Sequence, residues 1–283
     1  MSQQWDNFLK NLGVWEGTFT KFSPLGEQLE DTPSILSLEG LNNNKSARLT
    51  LRRFLPDPNN ASETTVNELV REYQYLGRDI LFFENGAFSQ GSIQLAPYSE
   101  FGAELSFIYG NQRLRLVQLC DRDGNLASLT LIREKLTGKD VPEQPPLKVD
   151  DLIGEWRGEA VTIYPDWRPS DSYPTSLQLH RDGPNQLLQK ITFGSGLDIK
   201  TIASSAVIDG SLLRFNQSSQ AMQVLLLPGG ASATTPMPVQ RRKSFFLEAG
   251  WLLEPDLRQR MIRSYNENGE WVSLTLITER KIN

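Results

Sequence analysis

Gly13-Val-Trp15-Glu-Gly17 returns later in the chain as Gly154-Glu-Trp156-Arg-Gly158, and Ser128-Leu-Thr-Leu-Ile-Arg-Glu134 returns as Ser273-Leu-Thr-Leu-Ile-Thr-Glu279. The second block matches at all but one position. The same register aligns Arg113 with Arg258, Arg115 with Arg260 and Gly124 with Gly269. Three blocks in the same order at a nearly constant offset indicate duplication of a unit of roughly 140 residues, not a short-period solenoid. A chain of 283 residues also fits about two domains. The expected division is 1–137 and 147–283. Residues 136 to 149 form the linker, with the boundary near Glu143, because Pro142, Pro145 and Pro146 discourage helix and central strand alike.

Each unit reads as strands. Apolar residues alternate at Leu49/Leu51, Ile93/Leu95 and Leu105/Phe107, and again at Leu177/Leu179 and Ile191/Phe193. Turn residues such as Asn85-Gly86, Asp123-Gly124, Asp209-Gly210 and Asn268-Gly269 end the runs. About eight to ten such runs per copy predict an antiparallel barrel. Helical signal is confined to Trp5, Phe8, Leu9 and Leu12 at i, i+3, i+4, i+7, and to a single turn at Asp150 to Leu152. The stretch from Pro228 to Lys243 shows no apolar period and is expected to be a long mobile loop. Asp57-Pro-Asn-Asn and Asn42-Asn-Asn-Lys read as turns, since no spaced acidic ladder of a calcium loop follows.

Composition excludes several classes. The net charge of -5 argues against nucleic acid and against an anionic membrane surface. One histidine, His180, and one cysteine, Cys120, leave no Cys/His zinc site and no intrachain disulfide. A reducing, cytoplasmic location is expected. The N-terminus carries no signal-peptide pattern, and the apolar run from Val224 to Leu227 is far too short to span a bilayer. Glycosylation triplets at Asn44, Asn60 and Asn216 are read as coincidence. No Walker loop, dinucleotide fingerprint, Gly-x-Ser-x-Gly or His-Glu-x-x-His occurs, so nothing names a reaction.

A short helical turn, Gly-x-Trp on the first strand and then a meander of strands together resemble the calycin superfamily. That group includes lipocalins, cytosolic fatty-acid-binding proteins and the phycobilin lyases of cyanobacteria. The whole chain also resembles a cyanobacterial and plastid family of unknown function with two lipocalin-like halves. The resemblance rests on both Gly-x-Trp blocks, on Arg113-x-Arg115 and Arg258-x-Arg260, and on the two Ser-Leu-Thr-Leu-Ile endings. It implies an all-β chain of two tandem antiparallel lipocalin-like barrels with short helices at the barrel ends. It also implies that Trp15 and Trp156 each close one barrel end, often beneath an arginine from a late strand. Arg133 is available for that in the first copy, whereas Thr278 takes its place in the second.

The candidate ligand-binding residues are mostly arginines. Arg113 and Arg115, like Arg258 and Arg260, lie two apart on one strand, so each pair shares a face. If that face is interior, the pair holds a ligand carboxylate, with Glu104 and Glu248 as natural partners. The alternative puts the arginines in water and Leu114, Leu116 and Met261 inside. Arg263 and Tyr265 project to the opposite face and match the Arg-x-Tyr pair with which fatty-acid-binding proteins hold a carboxylate. Cys120 is either a small apolar filler or a reactive thiol, and His180 either a turn residue or a haem ligand. Trp167 is a lid or a rim cap. These residues support three readings. The first is an intracellular binding protein for a small amphipathic carboxylate such as a fatty acid, a bilin or another tetrapyrrole, with no resident cofactor and no metal. The second is a bilin lyase or isomerase using Glu104 or Glu248 as proton donor. The third is an interaction scaffold with a protein partner.

Overall fold

A computed structural model describes residues 3–57, 64–216 and 220–282. The Asn60 triplet, the Asp57-Pro-Asn-Asn turn beyond Asp57 and the last two residues of the Asn216 triplet lie outside the described residues.

The first half begins with α1 (Gln3–Phe8) and a short 3-10 turn. Nine strands follow: β1 (Gly13–Phe22), β2 (Gln28–Leu41), β3 (Ser46–Pro56), β4 (Thr64–Tyr73), β5 (Ile80–Phe82), β6 (Phe88–Gly91), β7 (Phe101–Tyr109), β8 (Gln112–Cys120) and β9 (Leu126–Leu136). The second half opens with α2 (Val149–Leu152). Its strands are β10 (Gly154–Ile163), β11 (Asp171–Arg181), β12 (Gln186–Phe193), β13 (Lys200–Asp209), β14 (Leu212–Phe215), β15 (Met222–Leu226), β16 (Ala231–Pro236), β17 (Phe245–Glu254), β18 (Leu257–Tyr265) and β19 (Trp271–Ile282). The chain is therefore all-β with a few short helices.

The two sheets close differently. β10 to β19 pair in sequence order and join β10 to β19 in a closed antiparallel barrel. The first sheet has the order β4-β3-β2-β1-β9-β8-β7-β6-β5 and stays open between β4 and β5. The expected second closed barrel is thus a curled sheet with a gap. At that gap the ten-residue β4 faces a β5 of three residues, whose pairing is to β6.

The residues from Pro228 onward correct another expectation. Pro228–Gly230 is a 3-10 turn and Ala231–Pro236 is β16, a barrel strand rather than a loop. Ala231 and Ala233 are fully buried there, and their small side chains gave no apolar period to recognise.

The halves share one core. Leu105, Leu114, Leu116 and Leu131 of the first sheet join Ala249, Met261, Leu274 and Leu276 of the barrel in a single cluster. Phe101 packs edge-on against Phe245 and Tyr265, with centroids 5.4 and 4.8 Å apart. Gln118 donates to the Glu248 carbonyl oxygen and accepts from the Thr235 hydroxyl, crossing the junction twice. β8 and β18 consequently lie between a cavity on one face and the other half on the opposite face. This explains their nearly continuous burial.

Candidate ligand cavities

The repeated motifs converge on one spot in each half. Gly13 and Gly154 follow the helical turns with φ of 139° and 126°, a left-handed conformation that suits glycine. That turn aims the next tryptophan inward. Trp15 donates from Nε1 to the Asn11 carbonyl at 3.0 Å, and Trp156 donates to the Leu152 carbonyl at 2.8 Å. Both indoles are buried and each is bonded to the end of its helical segment.

An arginine covers each indole. The Arg113 guanidinium lies 4.5 Å from the Trp15 ring and that of Arg258 lies 5.2 Å from Trp156. The covering arginine therefore comes from the Arg-x-Arg strand in both halves. Arg133, the candidate suggested by resemblance, instead lies near Glu143 with part of its side chain exposed. The absence of an arginine at Thr278 thus leaves the second half unimpaired.

The Arg-x-Arg pairs face the cavities, while Leu114, Leu116 and Met261 face the other half of the molecule. Both sets are buried. One buried carboxylate holds each pair. Glu134 accepts from Arg113 Nε at 2.7 Å, from Arg115 Nε at 3.0 Å and from Arg115 Nη2 at 3.0 Å. Glu279 accepts from Arg258 Nε at 2.6 Å and from Arg260 Nε at 3.1 Å. Burial opposes ionisation of Glu134, but the two guanidiniums outweigh it and hold the carboxyl at about 2. The same contest depresses Glu279. Burial also acts to lower Arg115 and Arg260, but the two carboxylates beside each outweigh it and raise both. Burial instead lowers Arg113 and Arg258 against the pull of Glu134 and Glu279, and a guanidinium starts so far above neutrality that all four stay cationic at pH 7.

Glu134 and Glu279 are the site residues that sequence reasoning assigned no role. Their signal was present, since each ends the repeated Ser-Leu-Thr-Leu-Ile block. The repeat explains a glycine as well. Gly17 pairs with Glu134 and Gly158 with Glu279. A Cβ on Gly17 would lie 1.9 Å from the Arg133 carbonyl oxygen, and one on Gly158 would lie 2.7 Å from the Glu279 Cβ. The close approach of β1 to β9 and of β10 to β19 at the buried carboxylates requires glycine at both positions.

Glu104 and Glu248 occupy the next strands and differ. Glu104 accepts from Arg115 Nη1 at 2.8 Å, whereas Glu248 lies 3.6 Å from Arg260 Nη1. Burial raises Glu248 above the ordinary carboxyl range against the pull of Arg260 and Arg258.

Each cluster borders an apolar hollow. The first, of about 290 Å³, is walled by Leu36, Leu38, Leu49, Leu51 and Phe88, with Arg113, Arg115 and Glu104 at its polar side. The second, of about 320 Å³, is walled by Leu177, Leu187, Ile191, Leu213 and Val224, with Arg258, Arg260 and Glu248.

Other candidates lie elsewhere. Arg263 and Tyr265 face the first half and line neither hollow. Arg263 is fully buried, stacks 3.5 Å from the Trp271 ring and donates to Tyr265 Oη and to the carbonyls of Gly91 and Ser92. Tyr265 donates to the Ser92 carbonyl at 2.9 Å. The pair therefore clamps the two halves, and backbone oxygens occupy the donors that a ligand carboxylate would need. Cys120 is buried and its thiol is pushed up to about 12, chiefly by burial. His180 is exposed at the end of β11. Trp167 borders a cleft between the halves with Gln3, Gln4 and Phe82, so it lids neither hollow. No helix among the described residues is long and apolar enough to cross a membrane.

The fold and its paired clusters define an all-β protein of two fused halves, each with an apolar hollow and a buried Arg-Arg-Glu floor. The chain belongs to the DUF3598 family. The model for "Domain of unknown function (DUF3598), N-terminal" matches residues 1–139. The model for "Biogenesis factor required for ATP synthase 1, C-terminal domain" matches residues 143–282. The crystal structure of a DUF3598 protein of unknown function from Nostoc punctiforme is 55% identical, with 100% of both chains covered and a TM-score of 0.91. An S-type phycobiliprotein lyase from Guillardia theta is 12% identical, with 48% of this chain and 90% of that chain covered, at a TM-score of 0.40. Similarity at that level carries no functional inference. No curated protein matches the chain.

Proposed function

We propose that the protein is a binding protein for a small amphipathic molecule with an acidic group, held in one or both hollows. The observation that carries this reading is the placement of two buried guanidiniums on the wall of each apolar hollow. Aliphatic walls suit a hydrocarbon body, and guanidiniums suit a carboxylate. Ligand pockets run from roughly 300 to 1,000 Å³. Hollows of about 290 and 320 Å³ stand at the lower end, which favours a fatty acid over a bulkier bilin or other tetrapyrrole. For a lyase or isomerase acting on such a guest, Glu248 is the carboxyl whose burial suits it to carry a proton. Native mass spectrometry of protein expressed with and without a bilin supply, and with added fatty acid, tests the binding reading. A bound mass in any arm supports it, and bare protein in every arm refutes it.

A second reading is a non-catalytic role in ATP synthase assembly through a protein partner. It is favoured by the name of the family model that matches residues 143–282. A deletion strain should then contain less assembled ATP synthase, restored by the wild-type chain. Normal amounts in that strain would remove this reading.

A further inference from the structure

The two clusters contain the same four side chains but are not equivalent. In the first half both carboxylates contact the arginines closely. Glu134 lies 2.7 Å from Arg113 and 3.0 Å from Arg115, and Glu104 lies 2.8 Å from Arg115. There a guest would have to break a formed hydrogen bond to reach Arg115, and the same hollow is also lined by Arg71 of the exposed β4. In the second half Glu279 is bonded to both arginines, but Glu248 stands off at 3.6 Å, beyond hydrogen-bond distance. Glu248, Arg258 and Arg260 are the charged residues on the wall of the second hollow, and Glu279 lies behind the arginines. From β16 the cross-strand neighbour of Glu248 is the uncharged Thr234. From β18 it is Ile262. Gln189 and Gln220 line the same hollow as neutral polar residues.

A carboxylate ion-paired to a guanidinium at 3.6 Å but not hydrogen-bonded to it is the group a guest's own carboxylate displaces most easily. Three carboxylates against two guanidiniums would leave an uncompensated buried negative charge. One of them must then be protonated, and Glu248 is the one held least tightly. We infer that an amphipathic acid entering the second hollow sets its carboxylate in place of Glu248 on Arg260, while Glu248 takes up one proton. The inference rests on the binding reading above and specifies its site and its proton. The proton comes from solvent, and no covalent bond changes. Burial of Glu248 with the arginines as its nearest favourable charges accords with a weakened acid.

The test uses the full chain and anilinonaphthalene sulfonate, whose sulfonate keeps its charge across the pH range, with dodecanoate as competitor. For wild type, affinity should rise by up to about tenfold per pH unit as pH falls from 8 toward the titration range of Glu248. Glu248→Gln should bind at neutral pH as tightly as wild type does at low pH, with the pH slope abolished. Glu104→Gln should leave the slope unchanged. Val224→Trp fills the second hollow and should abolish the pH-dependent binding, while Leu51→Trp fills the first and should leave it. Unchanged circular dichroism and melting temperature verify that each variant is folded, and Val224→Phe replaces Val224→Trp if the larger residue unfolds the barrel. Binding that is lost on Leu51→Trp instead, or that keeps its pH slope in Glu248→Gln, overturns the inference and leaves the binding reading standing. Wild-type protein that binds neither probe nor dodecanoate overturns both.

Discussion

Replacing Glu134 by Gln removes the carboxylate that joins Arg113 to Arg115. The Glu134 side chain is fully buried, and its three bonds run from 2.7 to 3.0 Å. Glutamine keeps the shape but not the charge, so two buried guanidiniums retain Glu104 as their single close carboxylate. Removing one partner of a buried ion pair costs roughly 3–5 kcal/mol. An independent scale comes from the Glu134 carboxyl, held at about 2 against an ordinary 4.5. That difference corresponds to about 3 kcal/mol. Urea unfolding at pH 7 should therefore show Glu134→Gln about 3 kcal/mol less stable, a midpoint lower by roughly 1 M. Because folding depresses this carboxyl, its contribution is complete above the unfolded value of about 4.5 and fades as pH falls toward about 2. The gap between wild type and variant should thus narrow across that window. A loss below about 1 kcal/mol at pH 7, or a gap that widens on acidification, would refute the assignment of Glu134 as the anchor.

Gly158→Ala should lower the melting temperature markedly, because its Cβ would lie 2.2 Å from the Thr278 carbonyl oxygen on a strand that the closed barrel holds in place; an unchanged melt contradicts the close-approach argument. Arg263→Met should destabilise the chain by about 2 kcal/mol or more, since it orphans buried carbonyls at Gly91 and Ser92, and should separate unfolding into two transitions in calorimetry. A single transition at the wild-type midpoint would show that Arg263 does not clamp the halves. Cys120 should resist iodoacetamide at pH 8 in native protein and react after urea unfolding, because burial keeps the thiol protonated; rapid native labelling would contradict that placement.

The duplication, the strand class and the Arg-x-Arg faces were legible because they depend on spacing along the chain. Parity places Arg113 and Arg115 on one face of β8 and Leu114 and Leu116 on the other. It does not reveal that both faces are buried, one by the hollow and one by the other half. That same docking placed Arg263 and Tyr265 where a local motif suggested a ligand site. It also turned Ala231 and Ala233 into a strand core whose small side chains look featureless in sequence. Glu134 and Glu279 stood within the repeat, but their role depends on close approach at Gly17 and Gly158, which only three dimensions display. The gap between β4 and β5 is likewise a property of long-range pairing.

The most direct measurement is carbon NMR of carboxyl-labelled dodecanoate mixed with the protein and titrated with acid. A guest held on buried guanidiniums predicts a second carboxyl resonance, distinct from free acid, that stays ionised at pH values where the free acid protonates. A single resonance that titrates as the free acid does would contradict the account.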